Sequence, residues 1–212
     1  MKTKFSVLLL FISISNLIAD DTKYAETMAT NIALVYKAET SDDLQQAVNV
    51  FNRVGTAEKN KWEPFYYEAF GYIMLANREQ DVVKKDAFLD QAKIAVDKAG
   101  EIRTNESEIV ALEGFISMIR ASVDPLTRGQ QYSGLAMQSF DKAVSLNPEN
   151  PRALVLLARM QLGMAQFFNS STTEPCTNAR QALEKFTTFK PESQVVPVWG
   201  KGLAESILKD CK

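Results

Sequence analysis

The sequence contains no histidine among its 212 residues. This absence excludes the Ser-His-Asp and Cys-His nucleophile systems, and it excludes zinc sites built on histidine. Only two cysteines, Cys176 and Cys211, are present, which is too few for a four-cysteine zinc site. No glycine-rich phosphate loop of the Walker or dinucleotide-binding type occurs. The residues that most often define a catalytic or metal site are missing, and no cofactor is expected.

Turn-forming residues are also scarce. The chain has 9 glycines and 7 prolines, which disfavours an all-β fold because such folds need many turns. Hydrophobic residues make up 46% and charged residues 24%, an ordinary balance for a globular protein. The net charge of −2 gives no electrostatic reason to bind nucleic acid.

The first 19 residues, MKTKFSVLLLFISISNLIA, are typical of a secretory signal peptide. Lys2 and Lys4 form a basic start, an apolar run follows, and Ala19 is a small residue at the cleavage position. A transmembrane anchor is the alternative, but the run is short and is interrupted by two serines and an asparagine. We predict cleavage after residue 19, which leaves residues 20–212 as one helical domain in the periplasm or outside the cell.

Almost every later segment has the apolar period of an amphipathic helix. The predicted helices cover residues 22–38, 42–58, 63–78, 84–102, 107–122, 128–146, 151–168, 177–189 and 197–209. Pro64, Pro151 and Pro197 suit the first turn of a helix. Ser41, followed by two aspartates, is a good N-cap.

One pattern of residue types occurs in four copies along the chain. Its clearest copy is Ala136, Phe140, Ala143 and Pro148 in the stretch LAMQSFDKAVSLNPENPRALVLLA. The alanines that open the four copies are Ala47, Ala92, Ala136 and Ala179. Their spacing of 43–45 residues predicts a repeated helical hairpin. The alanines let two helices approach closely, the bulky residue fills the adjoining space, and the proline, where present, ends the helix.

This pattern, A-x3-F-x2-A-x4-P, is similar to the second helix of a tetratricopeptide repeat. Tyr67, Phe70, Gly71 and Met74 match the spacing of the first helix of that family. The resemblance covers residues 41–191 and implies an all-α stack of antiparallel helical hairpins, closed by a C-terminal capping helix. The repeats are about 44 residues long, whereas those of the family are about 34, so the extra residues fall between the paired helices.

A second resemblance covers the whole chain. It is carried by WEPFYY at residues 62–67, NPENPRA at 147–153 and PVWG at 197–200. These motifs look like those of a group of exported tetratricopeptide-repeat proteins from Bacteroidetes-type bacteria. The resemblance implies an envelope location and a helical repeat, and it implies no biochemical activity.

The first helix of each tetratricopeptide hairpin lines the concave face of the array. By that register the candidate partner-binding residues are Phe65, Tyr72, Phe115, Met118, Arg152, Val155 and Arg159. Arg152 and Arg159 lie seven positions apart on one helix face and could hold a carboxylate or an acidic peptide. Alternatively, the two arginines are solvated or paired within the protein.

The two cysteines fall at opposite ends of the last two predicted helices. Cys176 precedes one helix and Cys211 follows the other, so an antiparallel hairpin would bring them together. In an exported protein this favours a disulfide that fastens the C-terminal cap. Two free, partly buried thiols are the alternative.

A repeat fold without a catalytic constellation predicts a non-catalytic scaffold or adaptor that binds an unidentified protein or peptide in the bacterial envelope. The alternative is a structural subunit of an envelope complex or a homo-oligomer, with Tyr24, Met28 and Ile32 of the first helix as the contact. An enzyme that uses carboxylates or tyrosines alone is the least favoured function.

Overall fold

The structure is a computed structural model that describes residues 8–211, with side chains described from residue 21 onward. Within that range there are nine helices and no strand, which confirms the predicted all-α fold class. The helices are α1 (Leu8–Lys37), α2 (Ser41–Ala57), α3 (Glu63–Arg78), α4 (Val82–Ile102), α5 (Ser107–Val123), α6 (Gly129–Leu146), α7 (Pro151–Phe167), α8 (Thr173–Thr188) and α9 (Lys201–Asp210).

The ends of α2 to α9 agree with the sequence-based prediction to within four residues. Helix α1 differs, because it begins at Leu8 and not near residue 22. Residues 1–7 of the predicted signal peptide (residues 1–19) lie outside the described part of the chain. Its cleavage stays a prediction.

Side-chain caps fix where three of the helices begin, namely α2, α4 and α7. The Thr40 hydroxyl accepts a hydrogen bond from the backbone N–H of Asp43, and the Asp43 carboxylate accepts one from the N–H of Thr40. This capping box moves the N-cap of α2 from the predicted Ser41 to Thr40. At α7, the Asn150 side chain accepts from two backbone N–H groups, and Pro151 occupies the first helical position.

The helices form two layers. The odd-numbered helices contact one another in chain order and form an inner layer, and each even-numbered helix packs on the helices that precede and follow it. The starts of α5 and α7 lie side by side, because the Asn150 amide donates to the Ser107 hydroxyl at 2.9 Å. The inner helices are therefore parallel, as in a tetratricopeptide-like stack of hairpins.

The recurring alanines and phenylalanine lie at the closest contact within a hairpin. Ala136, Phe140 and Ala143 of α6 are fully buried. The Phe140 ring packs against Gly114 of α5, where a Cβ atom would lie within 3.0 Å of three ring atoms. The sequence pattern therefore marks packing positions, as its residue types predicted.

Gly114→Ala is expected to lower the free energy of unfolding by about 1–3 kcal/mol, because the buried Phe140 ring has no space to move aside. The measurement is chemical denaturation of the purified protein. Gly163→Ala in α7 is the matched control, since a Cβ there meets nothing within 4 Å. That control is expected to be neutral or stabilising by up to about 1 kcal/mol. Equal losses for the two variants would contradict the packing argument.

The C-terminal region departs from the prediction. Helix α9 begins at Lys201 and not at residue 197, and residues 189–200 between α8 and α9 contain no helix. We call residues 189–200 the strap. Cys176 near the start of α8 and Cys211 at the end of α9 form a disulfide, with their Cα atoms 5.8 Å apart. The two helices form the antiparallel pair that the cysteine positions favoured.

Candidate functional site

The strap lies across the inner face of the array, the surface formed by α1, α3, α5 and α7. The Trp199 indole stacks on Phe70 of α3 and on Phe115 of α5, with centroid distances of 4.8 and 6.1 Å. Next to it, the backbone N–H of Val198 donates to the Tyr36 hydroxyl of α1 at 3.3 Å. The surface that binds partners in an open repeat array is occupied here by the chain itself.

Beneath the strap lies a buried ion pair. The Nε and Nη2 atoms of Arg152 in α7 donate to the carboxylate of Glu108 in α5, at 2.8–2.9 Å. The Tyr66 hydroxyl donates to the same carboxylate at 3.3 Å and accepts from the Trp199 indole N–H at 2.9 Å. The Phe189 ring covers the guanidinium, with 4.6 Å between the ring centroid and Cζ of Arg152. One polar chain thus connects the strap with α3, α5 and α7.

Burial governs the protonation of these groups. It raises the pKa of Glu108, whereas the adjacent Arg152 guanidinium favours the charged carboxylate. Burial, and then the charge of Glu108, raise the pKa of Tyr66, so its hydroxyl keeps the proton that it donates. The pKa values of Tyr36 and Tyr67 are also raised by burial. The inner face therefore offers neutral hydroxyls and aromatic rings around one paired charge.

Two of the predicted partner-binding residues lie on a different face of α3. Phe65 contacts Gly55 of α2 and lies beneath the amine of Lys98 in α4. Tyr72 stacks on Phe88 of α4. Both side chains point to the outer layer, so the register transferred from the shorter repeats is wrong for α3. The residues of α3 that face inward are Tyr66 and Phe70.

The other predicted residues are mostly covered. Phe115 lies under Trp199, and Arg152 is only 1% exposed. Val155 is fully buried in a second core cluster formed by α7, α8 and α9, and Met118 is half-buried. Arg159 alone of this set is exposed. Arg152 and Arg159 do not form an exposed basic pair. Arg152 is paired with Glu108 inside the protein and Arg159 is exposed, which agrees with the alternative interpretation of these two arginines.

The contact proposed for self-assembly is also corrected. Tyr24, Met28 and Ile32 are 9%, 0% and 6% exposed, because this face of α1 packs into the main core. These side chains form an internal contact between α1 and the rest of the array, and they are not available to a second copy of the chain.

The buried carboxyls do not assemble into a catalytic pair. Burial raises the pKa of Glu68, Glu108 and Glu113. Glu68 accepts a hydrogen bond from the amide of Asn52, whereas Glu108 forms an ion pair with Arg152, so the two carboxyls have different partners. Within the described residues there is no group of three or more potential metal ligands.

A second apolar surface lies at one edge of the array, where the helices of each hairpin are joined. Its residues are 46–88% exposed, and they are Val82, Val83, Leu126, Phe167 and Phe168. Because the inner helices are parallel, these three connections lie at the same edge, which we call the hairpin edge. Arg128 at the start of α6 pairs with Asp86 of α4 there, which fastens the second hairpin to the third.

Comparison with known proteins supports the fold. No family model and no curated protein matches the chain. Among solved structures, the HusA haemophore from Porphyromonas gingivalis matches with a TM-score of 0.80 and 25% sequence identity, over 89% of this chain and 92% of that chain. The MamA protein matches with a TM-score of 0.39 and 16% identity, over 87% of this chain and 85% of that chain. The first match shows that a similar fold occurs in a protein that is named a haemophore.

The inner-face residues Tyr36, Tyr66, Glu108 and Trp199 were not predicted as a site. A signal for the strap was present, since QVVPVWG has consecutive apolar residues around Pro197 and no helical period. The contacts of the strap connect residues up to 162 positions apart, and no local pattern encodes such a pairing.

Proposed function

We propose that this chain is an exported, non-catalytic binding protein and that its ligand is haem or a related porphyrin. The observation that carries the proposal is the match to a haemophore over about nine-tenths of both chains. Location outside the cytoplasm is supported by the Cys176–Cys211 disulfide and by the signal-like N-terminus. In the described residues, no helix has the length and apolar character needed to cross a membrane.

The residues of this chain restrict how it could hold haem. Without histidine, and with both cysteines in a disulfide, methionine and tyrosine are the remaining common axial ligands. Most of the affinity would then come from aromatic and apolar contact with the porphyrin plane, and from basic side chains that pair with its carboxylates. The inner face has both kinds of group, namely Phe70, Phe115 and Arg152.

The test is a spectrophotometric titration of residues 20–212 with haemin and with metal-free protoporphyrin IX. We expect a 1:1 complex with a dissociation constant of about 1 μM or lower. Because iron coordination is a minor contribution, the two affinities should differ by less than about tenfold, or 1.4 kcal/mol. The same titration of the thermally unfolded chain measures nonspecific adsorption of the porphyrin. Affinities equal to this background would contradict the proposal.

A second candidate function, a scaffold or adaptor for another protein, is favoured by the exposed apolar side chains of the hairpin edge. Its test is crosslinking in the native envelope, comparing the wild type with Leu126→Ser/Phe168→Ser. Leu146→Ser is the matched control, because Leu146 is 39% exposed at the end of α6, on the opposite edge. A crosslinked partner that the double variant loses and the control retains would support this function. An unchanged set of partners would contradict it.

A further inference from the structure

The Trp199 side chain packs against the rings of Phe70 and Phe115, in a space that we call the slot. Its indole lies at 27° to the ring of Phe70 and at 27° to the ring of Phe115. The only hydrogen bond that the indole makes among the described residues goes to the Tyr66 hydroxyl. Withdrawal of the indole would therefore leave a flat opening, bounded by two aromatic rings and by a hydroxyl that lacks a donor. A planar aromatic molecule fits this shape.

Arg152, next to this slot, has one hydrogen-bond donor that is not used. Its Nε and Nη2 atoms bind Glu108, whereas Nη1 is buried and has no hydrogen-bond partner among the described residues. Buried donors are rarely left without an acceptor, because the lost hydrogen bonds to water are not replaced. The side chain is covered by both ends of the strap, since Phe189 lies over the guanidinium and Gly200 lies beside Cγ. If the strap moved, Nη1 could bind an anionic oxygen.

The strap has the properties of a segment that can move without unfolding the rest of the chain. It contains no helix, and its one internal backbone hydrogen bond, from Val196 to Ser193, is long at 3.4 Å. The helices on either side of it remain in place when it moves, because the Cys176–Cys211 disulfide fastens α9 to α8. Segments with few backbone hydrogen bonds open locally at a lower free-energy cost than packed helices.

We propose that the strap is a lid. A planar aromatic ligand with a carboxylate replaces Trp199 against Phe70 and Phe115 while its carboxylate binds Nη1 of Arg152. This inference rests on the proposed function, because porphyrins with carboxylate side chains have both chemical features. The inference adds to the proposed function the location of the binding site and the movement that opens the site. The apparent affinity is then the intrinsic affinity multiplied by the fraction of molecules whose lid is open.

The first test measures haem binding by two strap variants. Trp199→Ala removes the side chain that competes with the ligand, so haem should bind about tenfold more tightly than to the wild type. Val198→Ala is the matched control, because Val198 is 49% exposed and interacts with Tyr36 only through its backbone, so its affinity should not change. Phe115→Leu, which keeps an apolar side chain under the strap, should weaken binding. The inference would be overturned if Trp199→Ala bound haem more weakly than the wild type. It would also be overturned if neither Trp199→Ala nor Phe115→Leu changed the affinity.

The second test starts from the unliganded protein and then adds haem. Hydrogen exchange followed by mass spectrometry should show strap amides exchanging faster than those of α3 and α5 beneath them, and faster still in Trp199→Ala. Added haem should increase strap exchange and slow exchange in α3 and α5. Strap amides that exchange only together with α3 and α5 would overturn the lid.

The two proposals fail in different ways. In one outcome, the wild type binds haem with an affinity that Trp199→Ala does not change, while the strap amides stay protected from exchange. That result overturns the inference and leaves the proposed function in place. If neither the wild type nor Trp199→Ala binds haem, both the proposed function and the ligand assigned to the slot are overturned. Strap exchange in the unliganded protein then decides separately whether the lid opens.

Discussion

Arg152→Met is expected to lower the free energy of unfolding by about 3–5 kcal/mol, measured by urea denaturation at neutral pH. Methionine keeps much of the apolar volume beneath Phe189 but removes every donor to Glu108. The carboxylate would remain buried with only the weak hydrogen bond from Tyr66 at 3.3 Å. Most of the loss is thus the cost of an unpaired buried charge and not the loss of packing.

The pH dependence of the stability of Arg152→Met distinguishes an unpaired buried charge from a loss of packing. With Arg152 absent, burial outweighs the remaining hydrogen bond from Tyr66 and raises the folded-state pKa of Glu108 above the unfolded value of about 4.3. A carboxyl with a raised folded-state pKa binds more protons in the folded state, so stability falls as the pH rises from the unfolded pKa through the folded one. As the pH rises above about 4.3, Arg152→Met should therefore lose more stability than the wild type.

Two controls separate the ion pair from general damage at this position. Arg152→Met/Glu108→Leu removes both charges and should recover most of the lost stability, because an apolar pair no longer contains an uncompensated charge. Arg159→Met removes an exposed arginine from the same helix and should change stability by less than about 0.5 kcal/mol. A double variant as unstable as Arg152→Met would show that the ion pair is not the cause.

Removal of the disulfide in Cys176→Ser/Cys211→Ser is expected to cost about 3–4 kcal/mol, because the bond closes a loop with a sequence separation of 35. For a chain of this size, each kcal/mol lowers the melting temperature by about 2–4 °C. Calorimetry of the variant and of the wild type, each with and without reductant, measures the loss.

Reductant supplies the matched control for the cysteine variant. It should lower the melting temperature of the wild type to that of Cys176→Ser/Cys211→Ser and leave the variant unchanged. The lost stability should be concentrated in α9 and the strap, which would exchange hydrogen faster while α3 and α5 keep their protection. A reduced wild type that melts at the same temperature as the oxidised protein would contradict the assigned role of the bond.

The helices were predictable because their information is local. Pro151 and the Asn150 side chain determine where α7 begins, and the alternation of apolar residues with a period of 3.6 determines which face is buried. The cysteine pairing was also favoured by the sequence, because it needed only the order and direction of two neighbouring helices. Such features depend on residues that are close in the chain or on adjacent elements.

The candidate site was not predictable in the same way. Transfer of a register from repeats of about 34 residues to repeats of about 44 placed Phe65 and Tyr72 on the inner face, whereas α3 is turned so that Tyr66 and Phe70 lie there. Pro197 was interpreted as the first turn of the last helix. In the structure it belongs to the strap, whose path depends on four helices that are distant in sequence.

The contact between Val198 and Tyr36, 162 residues apart, has a consequence for the order of folding. The hairpins are built from local contacts, which form rapidly because little chain entropy is lost in closing short loops. The surface on which the strap rests exists only when α1, α3, α5 and α7 are already side by side. We therefore expect the strap to dock in the final folding step, so that a chain emerging from its N-terminus would present uncovered aromatic side chains on the inner face until its last residues arrive.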